Sequence, residues 1–178
     1  MAFFSVGHSI RSLEELTELL RQHEVTLLVD VRTIPASRRM PHFGRAALAS
    51  ALPERGVEYV HLPELGGLRR PRPDSPNTGW RNASFRGYAD YMAEDGFRDA
   101  LERLIDLGRE RNLAIMCAEA LPWRCHRSLI ADALLVRGIQ VSHILGPGSA
   151  QPHRLTPFAR VERDHLTYSH SRFGVDRD

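Results

Sequence analysis

The chain has 178 residues, 42% of them hydrophobic and 26% charged, which suits one globular domain with a sizeable core and excludes a disordered or fibrous chain. The net charge is only +2, yet all 24 basic residues are arginine, whose planar fork of donors fits phosphate and carboxylate. No run approaches the roughly 18 apolar residues of a membrane helix. The start Met1-Ala2-Phe3-Phe4 lacks the basic region of a signal peptide, and two cysteines make no disulfide framework, so the chain reads as cytoplasmic, with no membrane partner.

Phe3 to Gly7 is a short apolar run and reads as a first strand. Ser12 and Glu15 then form a capping box ahead of Leu13, Leu16, Leu19 and Leu20, which predicts an amphipathic helix to about His23. Thr26 to Val31 is an apolar and β-branched run with one charge near its end, as in strands covered on both faces. Arg45 to Leu52 reads as a helix stopped by Pro53 and Gly56, and Val57 to Leu62 as the third strand. Gly66 to Arg86, rich in Gly, Pro, Arg and Asn, has no periodicity and is long for a connection. Helical spacing returns after Ser84, with Phe97, Leu101, Leu104, Ile105 and Gly108 on one face. Leu113 to Cys117 is the fourth strand, His126 to Arg137 a helix stopped by Gly138, and Gln140 to Leu145 the fifth strand. Gly146-Pro147-Gly148 breaks the chain. Phe158 to Glu162 and His165 to Tyr168 then pair across Arg163-Asp164 as a hairpin.

This alternation predicts an α/β fold, three-layer and Rossmann-like. Its mostly parallel sheet has about five strands flanked by helices, with a small C-terminal hairpin. One domain is expected over residues 1–168, with a flexible tail over 169–178.

In open α/β sheets, ligands bind beyond the carboxyl ends of the strands. Those ends carry His8 and Ser9, then Asp30, Arg32, Arg38 and Arg39, then His61 and Glu64, then Cys117 and Glu119, with Cys125, His126 and Arg127 at the next helix start. Each has a plain alternative: Asp30 can simply pair with Arg32, and Cys117 is also a small hydrophobe at a strand end. Cys125 stands between Arg124 and His126, where a helix N-terminus and nearby cations favour thiolate and also suit an anion. Cys-x7-Cys-His is not a zinc spacing, and only Gly7 stands where a dinucleotide fingerprint would need three glycines. The metal signal is weak, and no cofactor is firmly implied.

The runs Gly7-His8-Ser9, Val29-Asp30-Val31-Arg32 with Pro35 and Ser37-Arg38, and His61-Leu62-Pro63-Glu64-Leu65-Gly66-Gly67 resemble the bacterial domain of unknown function family 488. So do Cys117-Ala118-Glu119, Cys125-His126-Arg127, His143-Ile144 and His153-Arg154-Leu155-Thr156-Pro157. The resemblance spans about residues 4 to 168 and implies a three-layer α/β fold without specifying an activity.

Three functional readings follow from the residues. The first is a hydrolase or transferase acting on an anionic, phosphate-containing partner, a nucleotide or nucleic acid. Asp30, His61, Glu64, Glu119 and Cys125 would be its catalytic groups, with Cys125 as nucleophile or anion-site donor. His8, Ser9, Arg32, Arg38, Arg39, Cys117, His126 and Arg127 would bind the substrate. The second is a nucleic-acid-binding module using the interleaved Arg69, Arg70, Arg72, Trp80, Arg81, Phe85 and Arg86, against which stands a loop folded onto the core by its own rings. The third is a metal or thiol-redox protein built on Cys117 and Cys125.

Overall fold

A computed structural model of the chain describes residues 1–170. Five parallel strands, β1 (Phe3–Gly7), β2 (Leu27–Asp30), β3 (Glu58–His61), β4 (Leu113–Cys117) and β5 (Val141–Ile144), lie in the order β3-β2-β4-β1-β5. A sixth, β6 (Gln151–Pro152), adds antiparallel to β5, with His143 opposite Gln151. β7 (Ala159–Glu162) and β8 (His165–Tyr168) form the separate hairpin expected from the sequence. Residues 171–178, most of the expected tail, lie outside the described residues.

Helices cover both faces of the sheet. α1 (Leu13–Gln22) begins where Ser12 Oγ accepts the amide of Glu15 at 3.0 Å. Its Leu16, Leu19 and Leu20 are buried with Val6, Leu28, Ala114 and Met116, and so is Leu48 of α2 (Arg45–Ala51). Each such side chain contributes about 1.5–3 kcal/mol by leaving water. On the opposite face, α3 (Ala83–Tyr91), α4 (Asp95–Leu107) and α5 (Arg127–Val136) cover Leu27, Val29, Leu113 and Ile115. The helical segment read after Ser84 is thus two helices, broken at residues 92–94.

Residues 66–82 contain no helix or strand but are firmly held. The buried Asp90 of α3 accepts from the Arg72 amide at 2.8 Å, Ser75 Oγ at 2.6 Å and Asn77 Nδ2 at 2.7 Å. Gly87 lets the helix touch this segment directly, since a Cβ there would lie 2.3 Å from the Arg69 carbonyl.

The connections through α1 and α2 run over one face and those through α3, α4 and α5 over the other. β4 lies between β1 and β2, and its own connection leaves on the face opposite to theirs. The carboxyl ends of these three strands therefore open a crevice, the position where α/β sheets hold ligands.

A second polar cluster ties the C-terminal segment to this sheet. Arg127 Nη1 donates to Ser5 Oγ at 3.3 Å, and Ser5 Oγ lies 2.8 Å from His143 Nδ1. His143 Nε2 lies 2.9 Å from His153 Nδ1, and His153 Nε2 is 2.7 Å from Asp132 Oδ1. One assignment of hydrogens serves every link: Arg127 to Ser5, Ser5 to His143, His143 to His153, His153 to Asp132. Asp132 also accepts from Thr156 Oγ1 and from the Tyr168 hydroxyl. Burial first, then the proximity of His153 and of the Arg127 charge, lowers the His143 pKa to about 4, which keeps this chain neutral between its charged ends.

Candidate functional site

The crevice is a pocket of about 590 Å³ between the ends of β1, β2 and β4. Its chemistry lies in Cys117, Cys125, His126, Arg32, Glu119 and Arg124, with Phe85 and Tyr88 as a ring-lined wall. Gly7 makes the crevice close-walled: a Cβ there would lie 1.9 Å from the Glu119 carbonyl oxygen.

β4 delivers Cys117 at its last residue, with its carbonyl fixed by the His8 amide at 2.9 Å. Cys125 leaves a turn begun by Pro122 and precedes His126, the residue that caps α5. The two sulfurs lie 2.7 Å apart and both thiols are free. The backbone amide of Arg127, first residue of α5, points at Cys125 Sγ from 3.4 Å. This is an N-terminal helical amide with no carbonyl to serve, and it favours a negative sulfur.

His126 is oriented by a distant strand. Its Nε2 lies 2.9 Å from the Val31 carbonyl, which can only accept, so Nε2 carries the hydrogen. Nδ1 then faces Cys125 Sγ at 3.5 Å. The hydrogen bond from the Cys117 thiol, reinforced by His126 and Arg127 and opposed by burial, holds Cys125 well below the usual thiol range. The same bond, together with burial, pushes Cys117 far above it. Of the two, Cys125 is therefore the more acidic sulfur and Cys117 the one that holds its proton.

Arg32 and His8 close the opposite wall. Arg32 makes a fork with Asp30, Nε to Oδ1 at 2.9 Å and Nη2 to Oδ2 at 2.7 Å, and Asp30 also accepts from Tyr59 at 2.6 Å. His8 Nδ1 donates to its neighbour's carbonyl at 2.9 Å, so Nε2 receives Arg32 Nη1 at 3.2 Å. Burial lowers the His8 pKa to about 4 and leaves the ring neutral, stacked on Phe43 at 4.4 Å.

Of the residues expected at the site, His8, Arg32, Cys117, Glu119, Cys125 and His126 meet at this pocket. Asp30 stands behind the wall, its carboxylate occupied by Arg32 and Tyr59, and orients Arg32 rather than facing the cavity. His61 donates Nε2–H to the Arg32 carbonyl at 2.8 Å, outside the lining. Glu64 is exposed and takes part through its carbonyl, which accepts from Tyr91. Ser9 holds the turn after β1 through its amide, bonded to Ala118, and Arg38 and Arg39 stand on the segment after β2, away from the lining. Arg127 is 1% exposed and spends its guanidinium on Ser5 and the Glu119 carbonyl, so its amide and not its side-chain fork serves the pocket.

Arg124 is the cation that the site adds. It is exposed on the turn before Cys125, and its side chain lines the pocket. Its place beside Cys125 is the signal for it in the sequence. The interleaved arginines and rings after Gly66 are differently arranged. Trp80 stacks on Phe85 at 4.9 Å and packs edge-on against Phe158 at 4.8 Å. Arg86 is bound to the Trp80 carbonyl, and Arg69 sits over the Tyr91 ring at 3.6 Å. Among these residues only Phe85 reaches the pocket.

Among the described residues, no group of three or more His, Cys, Asp or Glu side chains is placed to hold a metal ion, and no helix is long and apolar enough to cross a membrane. The family model described as "Domain of unknown function DUF488" matches residues 12–134, more than half of the chain and both cysteines. Gly7-His8-Ser9 and the stretch from His143 onward lie outside the matched residues. Neither the curated proteins nor the solved structures contain a match.

Proposed function

The chain belongs to the DUF488 family, and for it we propose an enzyme that uses Cys125 as a nucleophile on a small anionic, phosphate-containing substrate, a nucleotide or a nucleic-acid end. One observation carries this reading: Cys125 Sγ, His126 Nδ1 and the Val31 carbonyl are aligned at the wall of a ligand-sized pocket. A nucleophile, a base and a group that orients the base are what covalent catalysis needs within hydrogen-bond reach. Asp30, Glu119 and His61 are the proton carriers expected from the sequence, and His126, facing Cys125 Sγ, has the better position.

In this mechanism His126 Nδ1 takes the Cys125 proton, and the Arg127 amide and the Cys117 thiol stabilise the resulting thiolate. The thiolate attacks the electrophilic centre of the substrate, and the His126 imidazolium returns the proton to the leaving group. Water or a second substrate then releases the Cys125 adduct, giving hydrolysis or transfer. Arg124 and Arg32 supply the positive charge that a phosphate group meets. Phe85 and Tyr88 offer the flat apolar wall that suits a nucleobase.

Two measurements test the proposal together. Iodoacetamide labelling of Cys125 across pH should reach half its maximal rate well below the free thiol value of about 8.5, and His126→Gln should move that midpoint upward. Incubation with a panel of nucleotides and short oligonucleotides, followed by acid quench and intact-mass analysis, should show turnover or an adduct that Cys125→Ser abolishes. An ordinary labelling midpoint, or full turnover in Cys125→Ser, would overturn the assignment.

A further inference from the structure

We propose that Cys117 is a resolving thiol, and that Cys117 and Cys125 together reduce hydroperoxides by closing to a disulfide. This rests on the reading of Cys125 as the nucleophile and adds a second activity at the same pocket. The two sulfurs are 2.7 Å apart, and a disulfide needs about 2.05 Å, so closure requires a movement of less than one ångström. Both partners are anchored for it. Cys117 is the last residue of a strand paired on both sides, in register with Gly7 of β1. Cys125 is fixed through its amide to the Pro122 carbonyl and through its own carbonyl to Ser128.

Access is selective. The two cysteines are only 4% and 7% exposed, both at the wall of the pocket. A small peroxide fits there. A single reactive thiol in such a place would run on to irreversible acids, and a second thiol in contact stops that ladder at its first step.

The chemistry balances with a hydroperoxide as oxidant. The Cys125 thiolate attacks the nearer peroxide oxygen, an S–O bond forms and the O–O bond breaks. The leaving alkoxide or hydroxide takes the proton held by His126 and departs as alcohol or water. Cys117 then attacks the Cys125 sulfenic acid: the S–S bond forms, the S–O bond breaks, and the hydroxide leaves with the Cys117 proton as water. Two thiols lose two electrons and the peroxide gains them. A small dithiol such as dithiothreitol reverses the closure.

The test treats the reduced full-length protein with one to five equivalents of hydrogen peroxide or tert-butyl hydroperoxide. The expected product is monomeric, lighter by two hydrogens, with no alkylatable thiol and a Cys117–Cys125 crosslink in the peptide map. In Cys117→Ser or Cys117→Ala, Cys125 should instead give a dimedone-trappable sulfenic acid and then sulfinic acid, at least tenfold faster than in wild type. Sulfinic acid on Cys125 of the wild type while Cys117 stays alkylatable, or disulfides only between molecules, would overturn the proposal. Nucleotide turnover by reduced wild-type protein scores the enzyme reading separately: crosslinking without turnover leaves this inference standing, and turnover without crosslinking removes it alone.

Discussion

Two buried polar clusters meet at the N-terminal turn of α5 and share Arg127, yet their hydrogen bonds end in different places. The chain from Arg127 through Ser5, His143 and His153 runs to Asp132, where four donors converge on one carboxylate. Every side-chain oxygen and imidazole nitrogen along it is used, and Arg127 Nε is its one buried polar side-chain atom without a partner among the described residues. At the pocket, by contrast, the Cys125 thiol and the exposed Arg124 guanidinium stand at a cavity wall with no carboxylate to neutralise the cation among the described residues. A satisfied network of buried groups rigidifies a fold, whereas poised groups at a cavity wall are where ligands and reactions are accommodated. The first cluster holds the C-terminal segment against β1 and α5, and the second is the one suited to chemistry.

The largest effect should come from breaking the satisfied cluster. Asp132→Ala removes four hydrogen bonds at a residue with 0% exposure and leaves His153 and the Arg127 charge without their counterpart. A loss of about 3–5 kcal/mol in urea unfolding is expected, the range for stripping one partner from a buried charge network. Cys125→Ser, a near-isosteric change at the pocket, should stay within about 1 kcal/mol. Equal costs for the two variants would erase the distinction between the clusters.

Acid should weaken both clusters, each through one histidine. His143 and His8 are buried neutral, with pKa values lowered from 6.5 to about 4. The unfolded chain binds these protons more readily, so stability rises with pH across that window. The contribution is fully present above pH 6.5 and is lost as pH falls towards about 4. Each histidine accounts for at most about 3.5 kcal/mol, because a tenfold change in proton affinity corresponds to about 1.4 kcal/mol and each pKa falls from 6.5 to about 4. Urea titrations between about pH 4 and 7, with imidazole resonances followed by NMR, check this. Titration of either ring near its ordinary value of 6.5 would show that it is not held neutral.

How much of this is legible in the chain depends on how local the signal is. β4 appears at Leu113–Cys117 as the apolar run predicts, and α1 begins at the Ser12 cap. β6 has no signal in the sequence, because two residues ending in Pro152 carry no period. Proline, which lacks an amide hydrogen, is tolerated there at a sheet edge. Six expected site residues meet because parallel strands deliver their ends to one edge, which the strand–helix alternation already implies. The roles move where they depend on distant partners. The His126 tautomer is set by the Val31 carbonyl, 95 residues away in sequence. Asp30 is engaged by Tyr59 of a neighbouring strand. Arg127 reads as a phosphate ligand because it opens a helix, but α5 is covered along its length and draws that side chain inward.

The smallest structural effect and the most informative functional one should coincide at Arg124. Its side chain is exposed, no ion pair holds it among the described residues, and it lines the pocket beside Cys125. Arg124→Ala should therefore change unfolding stability by less than about 0.5 kcal/mol, as exposed substitutions do. A phosphate-bearing ligand would lose a charge-assisted contact, and a tenfold weaker affinity corresponds to about 1.4 kcal/mol. Arg32→Ala makes the contrast inside the same pocket, because it strands the buried Asp30 carboxylate and should cost stability as well as binding. Thermal-shift titration with inorganic phosphate and with nucleotides separates the two. Weaker binding with unchanged stability in Arg124→Ala places the anion at the mouth, next to the thiolate. Unchanged binding in Arg124→Ala with lost binding in a still-folded Arg32→Ala moves the anion to the opposite wall, and the line of attack from Cys125 would have to be redrawn across the cavity.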